Sequence, residues 1–203
     1  QDERGIRALV YTVLTDQKNR LLDKRLHDQF VNFMGYMCQE VVTLDSIENP
    51  TRKRMVENVL VGLVDQWKLN GRIDPNALFQ PLPFLDVDVL VMMERTVYDQ
   101  LWGEEDKKLI IGLNVAAFEL DLGEPLYANR FVSEVPWSGE DTSYLKAERK
   151  VLLKVTDAIG ETFHQAAYLI NEAHRRYKGE RDKAQAIAEQ QRQQQIRALQ
   201  KEW

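Results

Sequence analysis

The sequence predicts an α/β (α+β) fold: a mixed sheet of about five strands in the order β-α-β-α-β-β-β-α, with helices packed on it and a long C-terminal helical extension. Three observations lead there. Period-2 and period-3.6 apolar patterns alternate through the first half of the chain. Residues 87–135 then read as three consecutive strands separated by turn chemistry, and the last third carries a helical seam that gives way to a polar tail.

Taken in order, Ile6 to Leu14 is rich in β-branched and aromatic residues and predicts a first strand. From Arg20 the apolar residues Leu22, Leu26, Phe30, Phe33, Met34 and Met37 recur every three or four positions, a helix ending near Gly35 to Cys38. Val41 to Leu44 supplies a short strand closed by Asp45. Asn49-Pro50-Thr51 is a helix start, with Asn or Thr as cap and Pro tolerated in the first turn. The seam that follows is Met55, Val56, Val59, Leu60, Leu63, Val64 and Trp67, and Asn70-Gly71 suits a left-handed C-terminal cap. Asp74-Pro75, Pro81 and Pro83 mark an irregular connection with room for one helical turn.

Val87, Val89, Val91 and Met93 alternate along the next strand, and Leu109, Ile111, Leu113, Val115 and Ala117 along its neighbour. The second and third strands of this group form a hairpin through Leu122-Gly123-Glu124-Pro125. There Gly123 can take a positive φ, Pro125 fixes its own, and Gly123, Glu124 and Pro125 are the structural turn. After Pro136-Trp137-Ser138-Gly139, one of Asp141, Thr142 or Ser143 caps a long helix. Its seam is Leu145, Leu152, Val155, Ile159, Phe163, Ala166, Ile170, Ala173 and Tyr177, and Gly160 within it implies close packing. The domain boundaries that follow are 1–178 for a single α/β domain and 179–203 for a polar, helical C-terminal extension.

Composition narrows the function. At 203 residues, 44% hydrophobic, the chain can build one core. Its net charge of −5 argues against a nucleic-acid partner. The single cysteine, Cys38, excludes an intrachain disulfide and has no second Cys or nearby His to make a metal site, so a packed thiol is expected. No apolar run approaches the roughly 20 residues of a membrane-spanning helix. The chain starts at Gln1, which is compatible with a removed signal peptide or lipidated leader.

The sharpest catalytic candidate is Asp86-Val87-Asp88. At a strand, this spacing puts two carboxylates on one side, as a Mg²⁺ bridged to nucleotide phosphates requires. The tripeptide resembles the metal-binding pair of nucleotidyltransferases, whose Gly-Ser helix start is missing upstream, where Pro81-Leu82-Pro83-Phe84 stands. His27, His164 and His174 have no metal spacing or identifiable acid-base partner, and are read as packing or solvated residues. Phosphate loops and nucleophile motifs are absent too. The expectation is therefore no catalytic residue, no metal and no cofactor. Arg52-Lys53-Arg54 sits in a helix first turn, where the macrodipole prefers acids, and is read as a solvated face with an acidic partner or anionic lipid surface as the alternative. Trp102 and Trp137 flank loops and are interface candidates, with folding back onto the sheet as the alternative. In the tail, Ile196, Leu199 and Trp203 are spaced three and four apart and share one helical face, completing the interface candidates.

Two short stretches resemble a known group. Val87-Asp88-Val89-Leu90-Val91, and Glu119-Leu120-Asp121-Leu122-Gly123-Glu124-Pro125-Leu126-Tyr127, are similar to the pattern of periplasmic lipoproteins of the curli-secretion-channel, Pel-export-ring and penicillin-binding-protein-activator type. That pattern is an Ala-Asp with an apolar strand, then a strand ending in Asp-x-x-Thr-Gly-Glu-apolar-Trp, then a long helix. Here Glu119 replaces Asp, Leu122 replaces Thr, Tyr127 replaces Trp, and no amino-terminal lipidation Cys is seen. The resemblance implies a fold like the TolB amino-terminal domain and a non-enzymatic structural or interaction subunit of a bacterial cell-envelope assembly for secretion, export, a motor or wall synthesis. Such a protein would be periplasmic and outer-membrane associated through a lipid anchor, and would act by forming a homo-oligomer or docking protein partners. The alternatives are a Mg-dependent nucleotidyltransferase-like enzyme using Asp86 and Asp88, and a cytosolic adaptor domain.

Overall fold

The computed structural model describes residues 5–14, 20–102, 107–136 and 144–201. In chain order these form β1 (Arg7–Val13), α1 (Arg20–Met37), β2 (Glu40–Val42), a 3₁₀ turn (Leu44–Ser46), α2 (Pro50–Asn70), α3 (Pro75–Phe79), β3 (Val89–Trp102), β4 (Lys107–Glu119), β5 (Pro125–Pro136) and α4 (Tyr144–Lys201). The five strands make one mixed sheet in the order β2-β1-β3-β4-β5. Strand β1 runs parallel to both β2 and β3, and β3, β4 and β5 form an antiparallel meander.

Helices cover both faces. Val89, Val91, Met93, Ile111, Leu113, Val115 and Ala117 face α1 and α4, meeting Leu26, Phe30 and Met34 of one and Phe163, Ala166 and Ile170 of the other. Phe30 and Phe163 lie with ring centroids 5.0 Å apart, locking the two helices together. On the opposite face Leu9, Leu90, Met92, Ala116 and Phe118 pack against Val56, Leu60, Leu63 and Val64 of α2, Leu78 of α3 and the 82–87 segment. Gly160 of α4 is buried over Gln29 and Phe33 of α1, where an added Cβ would stand 3.1 Å from the Gln29 amide, so its cost in helix propensity is offset by close helix approach.

Local chemistry sets the boundaries. Asn49 caps α2, its Oδ1 accepting the backbone N–H groups of Thr51 at 3.0 Å and Arg52 at 3.1 Å. Gly71 ends that helix at φ 67°, with its N–H on Trp67 O. Replacing Asn49 with Ala is expected to cost about 1 kcal/mol, read as a lower urea midpoint with an unchanged slope.

Four expectations are corrected. The second strand stops at Val42, because residues 44–46 turn into a 3₁₀ helix whose Ser46 Oγ accepts the Thr43 N–H at 2.9 Å. Val87 precedes β3 and packs on the α2 face, whereas Val89, Val91 and Met93 face α1 and α4. Met55 is exposed on α2. On α4 the buried line adds Ala167, Asn171 and His174, while Ala173 and Tyr177 are half-buried. The connection at Pro75 does hold one short helix, α3. The cap at residues 141–143 lies outside the described residues.

Candidate functional site

The acid pair serves the sheet. Asp86 and Asp88 both precede β3, which starts at Val89. Asp88 Oδ2 accepts the Arg7 backbone N–H at 3.0 Å, and the Asp88 N–H donates to Arg7 O at 2.8 Å. The Arg7 guanidinium is ion-paired with Asp86 and with Glu40 at the start of β2. These carboxylates therefore hold the amino-terminal ends of β2, β1 and β3 in line, Asp86 through the Arg7 guanidinium and Asp88 through the Arg7 backbone. Among the described residues no three His, Cys, Asp or Glu side chains gather in a group that could hold a metal ion.

The hairpin carrying the family-like residues is a docking point for the rest of the chain. Gly123 takes φ 68°, and its carbonyl accepts the Ile73 N–H at 3.3 Å. Glu124 is ion-paired with Arg72 just past α2, and Asp121 with Arg181 of α4. Glu119, which stands where the family-like pattern has Asp, is almost fully buried, with Oε2 2.6 Å from Nδ1 of an equally buried His174 on α4. Asn171, one turn earlier, donates to Met37 O at the end of α1. The hairpin end is thus tied to α2 on one face and to α4 on the other.

Sequence reasoning missed the buried polar pairs. Asp23 of α1 and Arg95 of β3 meet at 2.6 Å (Oδ1 to Nε) with side chains 1% and 7% exposed. The irregularity between Arg95 and Val97 in the β3–β4 register sits beside this pair, where a bulge re-aims the strand. His27 lies 2.7 Å from Thr12 Oγ1, and burial lowers its pKa, which keeps it neutral at pH 7. The available signal was a polar residue interrupting an apolar face: Asp23 follows Leu22, and Arg95 extends the Val89-Val91-Met93 line. His164 instead stacks edge-on against Phe33 on the surface of α4.

The basic cluster separates residue by residue. Arg52 lies over the Phe84 ring at 4.9 Å, Lys53 pairs with Asp45 at 2.8 Å, and Arg54 is exposed. Cys38, packed against the α1 side of the core, has its thiol pushed up to about 11 by burial, so it is a protonated packing residue at neutral pH.

Helix α4 continues past Arg181, which pairs with Asp121 of the hairpin, to Lys201. Every side chain from Gly179 to Ala198 is exposed, including Ile187 and Ile196. At 1.5 Å per residue, this stretch is roughly 30 Å long. Leu199 continues the helix, but its side chain, like that of Trp102 at the end of β3, lies outside the described ones; Trp137 and Trp203 lie outside the described residues altogether. The structure therefore does not bring the five interface candidates into one patch that can be described. Among the described residues no helix is long and apolar enough to cross a membrane.

No family model and no curated protein matches the chain. Among solved structures it is similar to the protein XCC0632 from Xanthomonas campestris, of family DUF330, with a TM-score of 0.52 and 9% identity over 87% of this chain and 89% of that one. It is also similar to lipoprotein GNA1162 from Neisseria meningitidis (TM-score 0.42, 12% identity, 75% of this chain, 96% of that one). A third is PelC from Paraburkholderia phytofirmans, described as a dodecamer (TM-score 0.39, 7% identity, 77% and 86%). At these identities the likeness is one of fold, and the XCC0632 match carries it. Bacterial lipoproteins and PelC, the kind of protein the hairpin residues resemble, are among the solved structures to which this chain is similar.

Proposed function

We propose that this protein is a non-enzymatic subunit of a bacterial cell-envelope assembly, periplasmic in location, in which residues 1–178 form the body and residues 179–203 an arm that engages a further copy or a larger partner. The carrying observation is the arm itself, a polar helix with every described side chain from 179 to 198 exposed. With every described side chain exposed, this stretch lacks the packed face from which helices in proteins draw most of their stability, so a surface on another chain would stabilise it. Ile196, Leu199 and Trp203, spaced three and four apart in the sequence, are the apolar residues offered as anchors. The envelope location rests on the hairpin and strand residues that resemble the lipoprotein pattern, and a lipid anchor ahead of the domain belongs to the same reading. The use of Asp86 and Asp88 in aligning three strands supports the choice over a Mg-dependent transferase.

Truncation after Lys178 tests the arm. The melting temperature should change by less than about 3 °C, since few buried apolar contacts are lost. Sedimentation velocity should show the full chain self-associating or binding its partner complex, and the truncated chain failing to do so. Unchanged assembly of the truncated chain would place the interface elsewhere.

A further inference from the structure

Beyond that reading, and independent of the arm, the structure holds a cavity at the carboxyl end of β1. Strand β1 lies between β2 and β3, and its two connections diverge: α1 leaves on one face of the sheet, while α2, the crossover from β2 to β3, covers the other. In open α/β sheets this divergence opens a crevice outside the strand ends, where ligands bind. Here the crevice measures about 690 Å³, within the range of small-molecule sites.

Its walls differ in character. Val10 and Val13 of β1 and Leu14 just past it, with Leu44 and Val61 opposite, give an apolar floor and mouth on which Leu14 and Val61 are exposed. The rim carries Arg20, Lys24 and Lys53 against Asp45 and Glu57. Lys53 pairs with Asp45 at 2.8 Å, and Lys24 also acts on the Asp45 carboxylate through space. Among the described residues the rim thus carries three cations against two carboxylates, on a chain whose net charge is −5. Arg20 opens α1 and Lys53 lies in the first turn of α2, so the positive ends of two helix dipoles add to the same potential. His27, whose Nδ1 lies 2.7 Å from Thr12 Oγ1, is part of the same lining.

We propose that this crevice binds an anionic amphiphile: a hydrocarbon chain lying along Leu14, Leu44 and Val61, with a single carboxylate or phosphate headgroup held between Arg20 and Lys24. A neutral lipid would leave the surplus positive charge of the rim unmatched, and a bare inorganic anion would leave the apolar floor wet.

Isothermal titration of the full chain with laurate, dodecyl phosphate, dodecanol and inorganic phosphate, all below micellar concentrations, tests this. Laurate or dodecyl phosphate should saturate at one site per chain, whichever binds tighter identifying the headgroup, with dodecanol and phosphate weaker by about tenfold or more. Arg20→Gln with Lys24→Gln, both exposed positions, should weaken the amphiphile by about tenfold or more with the melting curve unchanged. Val61→Glu, a second exposed wall position, should weaken it similarly by repelling the anion. Absence of saturable binding by either amphiphile, equal affinity in the charge-removed variant, or inorganic phosphate or dodecanol binding as tightly would overturn the proposal.

Discussion

Gly123→Val lowers the melting temperature by about 6 °C or more. The expected size comes from three effects acting at one atom. Gly123 sits at φ 68°, where a β-branched residue costs on the order of 1 to 3 kcal/mol. A Cβ there would stand 2.1 Å from the Ile73 carbonyl oxygen and 2.8 Å from Cδ of Pro75, so the hairpin must lift from the 73–75 segment. Overpacking of that kind adds about 1 to 3 kcal/mol, and the Ile73 N–H bond to Gly123 O is lost for roughly another 1. A total of about 3 to 7 kcal/mol converts at roughly 2 to 4 °C per kcal/mol for a chain of this size, or about 6 °C at the least. Gly71→Ala is the matched control. It has a similar φ of 67° but nothing within 4 Å of its added Cβ, so it should lose only about 1 kcal/mol. Equal losses for Gly71→Ala and Gly123→Ala would show that the hairpin does not press on residues 73–75.

Removing the Asp23 carboxylate is the second large effect. Asp23→Ala leaves the Arg95 guanidinium, 7% exposed, without its buried counter-charge, and should cost about 3 to 5 kcal/mol in urea unfolding. Replacing both partners by apolar residues of similar volume, Asp23→Leu with Arg95→Met, should recover most of that loss, because two desolvated charges disappear together. A single-variant loss below about 1 kcal/mol would mean that water reaches the pair, and no recovery in the double variant would mean that the two charges organise the α1–β3 contact beyond their mutual attraction.

The same residues show how much of the fold was legible. Local signals were sufficient wherever one element satisfied its own needs. Asn49 caps a helix from two and three residues away, Gly71 closes it, and alternation along 111–117 marks one sheet face. These interactions span a few positions, so periodicity and turn chemistry carry them without reference to the rest of the chain. Trp102, Trp137, Ile196, Leu199 and Trp203 were legible only as spacing and placement.

By itself, then, the sequence determined which segments are strands and helices, where most of them stop, and that the hairpin turns at a glycine. Tertiary structure alone decided that β1 is inserted between β2 and β3, that α1 and α2 take opposite faces, and that a crevice opens where they part. It also decided which polar residues are buried. Arg95 meets Asp23 across 72 positions of sequence, and His174 meets Glu119 across 55. A charged side chain on an apolar face is tolerable only if an opposite group arrives from elsewhere. That arrival depends on the order in which strands lie side by side, which no local pattern encodes.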